Sequence, residues 1–173
     1  MVAIFKNDVS VFGMSIKKLL FPIFSLLVIF ANPSHAIEIS KLRHQAENGN
    51  MHAQYDLAVH YATGDQVSEN AKKAAKWFLQ AAKQGHVDAQ VNLAVWYAMG
   101  LGVEQNQQKA LEWYHRAAAQ GNGQAQYNLA ARYHKGLGIK QDDVRAKALF
   151  KSSCSNGFKA SCQALQLINN GEL

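Results

Sequence analysis

Cysteine is almost absent. The chain of 173 residues has two, Cys154 and Cys162. A zinc site needs about four ligands at close spacing, and no histidine stands near this pair. Seven residues separate the two thiols, which rules out a C-x-x-C redox motif. Proline is equally scarce: Pro22 and Pro33 are the only two. With apolar residues at 49% of the chain, this argues against disorder. No basic run and no aromatic-basic stripe is present, so nothing points to a nucleic acid partner. Nor does any apolar run reach the roughly 20 residues of a membrane span.

The N-terminus has a layout of its own. Lys17 and Lys18 precede an apolar run from Leu19 to Phe30, broken by Pro22 and Ser25. "ANPSHA" follows, with Ser34 and Ala36 at the small-residue positions. This is the three-part pattern of a secretory signal peptide, with cleavage predicted after Ala36. Residues 1–36 are then leader, and Met14 is a possible true start. Residues 37–173 are then one mature domain, long enough to bury a core. No cysteine follows the cleavage point, so no lipid anchor and no stable membrane attachment is expected. The expected location is the periplasm or outside a bacterial cell, where thiols are oxidised. The net charge of +6 falls to +4 once three lysines and one aspartate leave with the leader. That is too mild to define a partner.

What the chain has in abundance is repetition. "GNMHAQYDLAVHYATGDQV" from Gly49, "GHVDAQVNLAVWYAMGLGV" from Gly85 and "GNGQAQYNLAARYHKGLGI" from Gly121 align without gaps at an offset of 36 residues. Ala53, Ala89 and Ala125 coincide, as do Leu57, Leu93 and Leu129, then Tyr61, Tyr97 and Tyr133. The second halves match too: "AAKWFLQAAKQG", "ALEWYHRAAAQG" and "AKALFKSSCSNG". In each first half Ala, Leu and Tyr fall at i, i+4 and i+8, one apolar stripe at helical period. Gly64, Gly100 and Gly136 end the first helices; Gly85, Gly121 and Gly157 end the second. Such a pair cannot bury its apolar face alone and must stack on the next. The expected fold is all-α: an α-solenoid of three helix-turn-helix repeats, about 49–84, 85–120 and 121–156. Capping helices are expected over about 40–48 and 158–168.

The unit "A-Q-Y-x-L-A-x-x-Y-x-x-G-x-G-V" followed by "A-x-x-W-Y-x-x-A-A-x-x-G" resembles the Sel1-like repeat, a relative of the tetratricopeptide repeat. The resemblance runs from about Ser40 to Ile168. It implies a non-catalytic scaffold that binds a protein or peptide, in the cell envelope or in a host, without a cofactor. Two departures stand out. Gln66 replaces the glycine of Gly102 and Gly138, which suggests a looser first turn. Leu149 replaces the tryptophan of Trp77 and Trp113.

The cysteine pair also has a family counterpart. Cys154 falls in register with Ala82 and Ala118, and Cys162 with Gln90 and Gln126. A cysteine-rich branch of the Sel1-like family carries pairs at these two positions. The resemblance, with the export signal and the short turn between the two helices, implies a Cys154–Cys162 disulfide. The same branch has been linked to penicillin-type ligands. The alternative reading is therefore a cell-envelope hydrolase of β-lactamase or peptidoglycan-processing type. Ser15 and Lys18 spell S-x-x-K, but they lie in the leader. Nothing after Ala36 supplies a nucleophile with a base.

Other signals are weaker. His52, Asp56 and His60 fall at i, i+4 and i+8 and could share a helix face with a metal. The same positions are Asp88, Asn92 and Trp96, then Gln124, Asn128 and Arg132, which reads as a variable polar face instead. "GLGV" and "GLGI" lack the flanking elements of a phosphate loop and read as turns. In related helical repeats the first helices line the concave side. The candidate binding face is thus His52, Tyr55, Asp56 and Val59; Asp88, Val91, Asn92 and Val95; Gln124, Tyr127, Asn128 and Ala131. Tyr and Val among Asp, Asn and His suit a peptide or a partner helix. Tyr55, Val91 and Tyr127 are equally placed to pack on the neighbouring unit, and the sequence does not choose.

Overall fold

Asparagine starts half of the described helices and glycine follows their ends. The computed structural model describes residues 33–172, with side chains from Ile37 onward. The chain divides into two compact units, Met1–Ile37 and Glu38–Leu173, and the second is described here. The leader expected over 1–36 lies outside the described residues, save for the backbone of Pro33 to Ala36. Eight helices follow one another: α1 Pro33–Glu47, α2 Met51–Thr63, α3 Ala71–Lys83, α4 Val87–Met99, α5 Gln107–Ala119, α6 Gly123–Lys135, α7 Asp143–Ser155 and α8 Lys159–Asn170. No strand occurs among the described residues. The first capping helix begins at Pro33, earlier than the expected Ser40.

The caps explain why the elements start and stop where they do. The side chains of Asn50, Asn70, Asn106, Asn122 and Asp142 accept backbone N–H bonds at the starts of α2, α3, α5, α6 and α7. These bonds satisfy donors that a helix start leaves orphaned. His86 does the same for α4, its Nδ1 accepting from the Ala89 N–H at 3.3 Å. The first helices end on left-handed Gly64, Gly100 and Gly136. The α3 end forms a Schellman pair: the His86 N–H donates to the Ala81 carbonyl and the Gly85 N–H to the Ala82 carbonyl, both at 3.1 Å. Gly85 supplies the required positive φ of 98°. One further bond recurs in every repeat. The Asn70, Asn106 and Asp142 N–H groups donate to the Tyr61, Tyr97 and Tyr133 carbonyls at 2.8, 2.8 and 2.9 Å.

The repeated stripe is the core. Leu57, Leu93 and Leu129 are 0, 0 and 1% exposed, and Ala58, Ala94 and Ala130 are all at 0%. Phe78, Tyr114 and Phe150 from the second helices complete each layer. Alanine lets the helices approach; the rings fill what alanine leaves open. Consecutive repeats also touch through their turns. A Cβ on Gly102 would lie 2.3 Å from the Ala71 backbone, and one on Gly138 would lie 2.8 Å from the Gln107 Cβ. Gln66 keeps the same left-handed conformation, with φ of 60°. The first turn therefore has the backbone geometry of the others, with glutamine in a conformation that favours glycine.

A polar feature runs through this apolar stack. Gln54, Gln90 and Gln126 are 4–6% exposed. Each donates to a carbonyl at the end of the preceding helix: Ala46 at 3.0 Å, Ala82 at 3.1 Å and Ala118 at 3.1 Å. Each also accepts a side-chain amide from the end of the second helix of its own repeat: Gln84 at 2.7 Å, Gln120 at 2.8 Å and Asn156 at 2.9 Å. At the last junction Cys162 holds the glutamine position, and the clasp is covalent. The Cys154–Cys162 disulfide spans a Cα separation of 4.9 Å. Beside it, Ser153 and Ser161 replace two core alanines. Ser161 Oγ donates to Ser153 Oγ at 2.6 Å, and Ser153 Oγ to the Gly123 carbonyl at 2.5 Å.

Candidate functional site

The residues proposed from the first helices separate into three groups. His52, Asp56, Asp88 and Gln124 are exposed. Tyr55, Val59, Asn92, Val95, Tyr127, Asn128 and Ala131 are half-buried. Val91 is 3% exposed and part of the core, so it offers no surface. The helical wheel places it outward, but it is packed in the core.

Packing also claims the two tyrosines. The Tyr55 ring stacks on His86 at 4.4 Å with planes 13° apart, and tilts against Phe78 at 5.9 Å. Tyr127 meets Phe150 at 5.6 Å and Phe158 at 5.3 Å. Each tyrosine thus links its own repeat to the helix start that follows. Burial and the nearby Asp88 carboxylate raise the Tyr55 pKa, against an opposing hydrogen bond from Asn92. The Tyr55 hydroxyl is therefore neutral at physiological pH. Burial chiefly lowers the His86 pKa and His52 adds to this, while Asp88 and Asp56 oppose. A neutral His86 suits its capping role, because the Nδ1 lone pair must stay free to accept.

The trio His52, Asp56 and His60 does not converge. His52 turns edge-on to His86 at 5.2 Å. His60 Nδ1 turns to Asp65 instead, 3.0 Å from its carbonyl oxygen and 3.3 Å from its carboxylate. Among the described residues no group of three His, Cys, Asp or Glu side chains could hold a metal.

A cleft of about 570 Å³ opens between α1 and α2. Tyr55, Asp56, Val59 and His60 line one side, Ile39, Lys41, Leu42 and Gln45 the other. Three of the proposed residues thus meet in one concavity with both charge signs and an apolar floor. The remaining exposed positions, His52, Asp88 and Gln124, repeat along the first helices at the 36-residue spacing. Sequence reasoning missed one row of this face. Trp96 packs edge-on to Phe78 at 5.3 Å. At the same register Arg132 lies 5.2 Å from the Tyr114 ring centre and donates to Gln107 Oε1 at 2.7 Å. The signal was available in His60, Trp96 and Arg132, which share one repeat position four residues after Asp56, Asn92 and Asn128.

Stacked helix pairs with this clasp and this turn define an α-solenoid repeat protein. The chain belongs to the Sel1 repeat family: its model matches residues 52–86, 87–122 and 123–158, more than half of the chain. Among solved structures, the chain is 34% identical to a protective antigen of uropathogenic Escherichia coli with an SLR fold. That match has a TM-score of 0.71 and covers 73% of this chain and 27% of the antigen. The chain therefore spans only about a quarter of that relative. A Sel1 repeat protein from Oxalobacter formigenes is also 34% identical, with a TM-score of 0.69, covering 75% of this chain and 97% of the other. Cysteine-rich protein B of Helicobacter pylori shares the fold at 18% identity and a TM-score of 0.62, covering 79% of this chain and 98% of the other. No curated protein matches. The Sel1 repeat fold is a protein–protein interaction scaffold, and its members are typically non-catalytic.

Proposed function

We propose that the protein is an exported, non-catalytic scaffold that binds a peptide or helix of a partner protein along its first helices. The α1–α2 cleft carries this reading. It places Tyr55, Asp56 and Val59 in a concavity of mixed polarity, the setting in which a peptide's apolar anchors and charged groups are both satisfied. His52, Asp88, Asn92, Val95, Gln124, Tyr127, Asn128 and Ala131 extend the surface along the stack. Export is supported by the leader pattern and by the Cys154–Cys162 disulfide, since such bonds persist in oxidising compartments. The periplasm and the cell exterior are the locations this supports. Among the described residues no helix is long and apolar enough to cross a membrane.

The test is cross-linking and pull-down from the cell envelope or the culture medium. An Asp56→Ala/Asp88→Ala/Gln124→Ala variant removes exposed groups without touching the core. Loss of a partner captured by the wild type is expected; equal recovery of every partner would sink the assignment.

A further inference from the structure

One helix carries its charge without a partner. α3 has four lysines, Lys72, Lys73, Lys76 and Lys83, and no acidic residue. All four side chains are exposed. The ion pairs among the described residues are His60–Asp65, His134–Asp143 and Arg145–Asp142, and none reaches α3. Lys72 and Lys73 stand in the first turn, at the positive end of the helix dipole, where an acid would be favoured. Lys72 and Lys76 are like charges four residues apart, which weakens a helix further. Fold stability alone does not select this pattern.

The repeats separate what the scaffold needs from what it does not. Lys73 recurs as Lys109 and Arg145. These three pack over the rings of Tyr61, Tyr97 and Tyr133 at 5.2, 5.3 and 5.8 Å. That position belongs to the scaffold. Lys72, Lys76 and Lys83 do not recur: their counterparts are Gln108, Glu112 and Ala119, then Val144, Ala148 and Ser155. Yet these three lysines fall within about 40° of one another around the helix and along about 16 Å of its length. Lys76 and Lys83 also border a cleft of about 530 Å³ with Trp77 and Gln80, and Glu47 is the one acid in its lining. In the middle repeat Arg116 covers the Trp113 ring at 4.6 Å. Gln80 holds the Arg116 position in the first repeat, and Trp77 is half-buried there.

We infer that the α3 face docks on the anionic headgroups of a lipid bilayer. Lysines gathered on one face of an amphipathic helix are the charge complement of such a surface. The use of lysine throughout favours lipid over a folded acidic partner. Arginine's planar fork suits carboxylates fixed in place, whereas lysine's flexible point charge follows headgroups that move. Half-buried Trp77 suits the membrane–water interface, where indole rings collect. The contact is electrostatic and reversible, since among the described residues no helix is long and apolar enough to cross the bilayer. None of these lysines lines the α1–α2 cleft. The inference therefore stands independently of peptide binding there.

The experiment is co-sedimentation of the purified chain with vesicles of phosphatidylglycerol and, separately, of phosphatidylcholine. Binding to the first and not to the second is expected, and high salt should abolish it. Near an anionic surface each lysine is worth about fivefold, so Lys72→Gln/Lys76→Gln/Lys83→Gln should weaken binding by about 100-fold. Lys147→Gln/Lys151→Gln/Lys159→Gln removes the same charge from α7 and α8 and should weaken it by no more than about fivefold. Both variants change only exposed side chains. Equal losses in the two overturn the inference, because net charge alone would then account for binding. So does a wild type that ignores phosphatidylglycerol. Tighter binding to soluble poly-L-glutamate than to vesicles of equal anionic charge overturns it too, since the partner would then be an acidic protein segment.

Discussion

Opening the last clasp tests how the solenoid is held at its end. Replacing both cysteines by serine removes the cross-link but keeps side chains of similar size. The closed loop runs over nine residues from Cys154 to Cys162. In the chain-entropy relation such a loop is worth about 2.5 kcal/mol. Spread over a domain of this size, that is a fall of roughly 8–10 °C in melting temperature. A solenoid need not spread it, because each repeat couples only to its neighbours. α8 packs chiefly on α7, so the loss concentrates in α8. Amide exchange over Lys159–Asn170 should then accelerate by up to about 70-fold, the factor that corresponds to 2.5 kcal/mol. α2 to α5 should exchange as before. A second variant sharpens the test. Cys154→Ala/Cys162→Gln installs the residues found at Ala82 and Gln90, where the glutamine amide bonds a carbonyl at 3.1 Å. It should recover about 1 kcal/mol relative to the double serine. Unchanged α8 exchange in the double serine variant would refute the assigned role of the disulfide. A glutamine variant no more stable than the serine one would refute the equivalence of clasp and cross-link.

Four further predictions follow from the caps, turns and clasps. Gln66→Gly relieves a left-handed residue and should raise stability by about 0.5–1 kcal/mol, read from chemical denaturation. Gly102→Ala should cost well above 2 kcal/mol, because its Cβ would lie 2.3 Å from the Ala71 backbone; Gly85→Ala, with nothing within 4 Å, should cost only about 1–2 kcal/mol. Stability should fall on acidification: the His86 and His115 pKa values are lowered by burial in the folded state, so their contribution is present above about pH 6.5 and is lost as pH falls through the folded values. His86→Asn, matching Asn122, should flatten that slope in melts taken at pH 7.5 and 5.5. Gln90→Leu removes the bonds to the Ala82 carbonyl and from the Gln120 amide and should cost about 1 kcal/mol, measured by urea unfolding.

Most of the scaffold could be read before the structure. The 36-residue offset fixes three helix pairs, and the glycines mark their ends. The cysteine register leads to the disulfide that is seen. The outward face was less legible. A helical wheel assigns directions within one helix, but burial depends on what the next helix lays over it. Val91 points away from its own stripe and is still covered, and Tyr55 is half taken up by His86. The buried glutamines were hidden for a different reason. An "A-Q" pair in every repeat reads as core next to surface, because glutamine is usually exposed. Only the distances to Ala46, Ala82 and Ala118 reveal that each amide is paired on both sides.

The glutamine clasp also bears on uniqueness. Helices faced with alanine are smooth, and two such surfaces can slide by one turn with little change in buried area. Sliding α4 by four residues would bring His86 or Ala94 to the place of Gln90. The Ala82 carbonyl would then lose the Gln90 amide and the Gln120 amide its acceptor. The clasp therefore acts as a key that accepts one alignment of each helix pair and penalises its neighbours. Three polar side chains thus add a directional constraint to a core whose rings and turns also fix how the repeats meet.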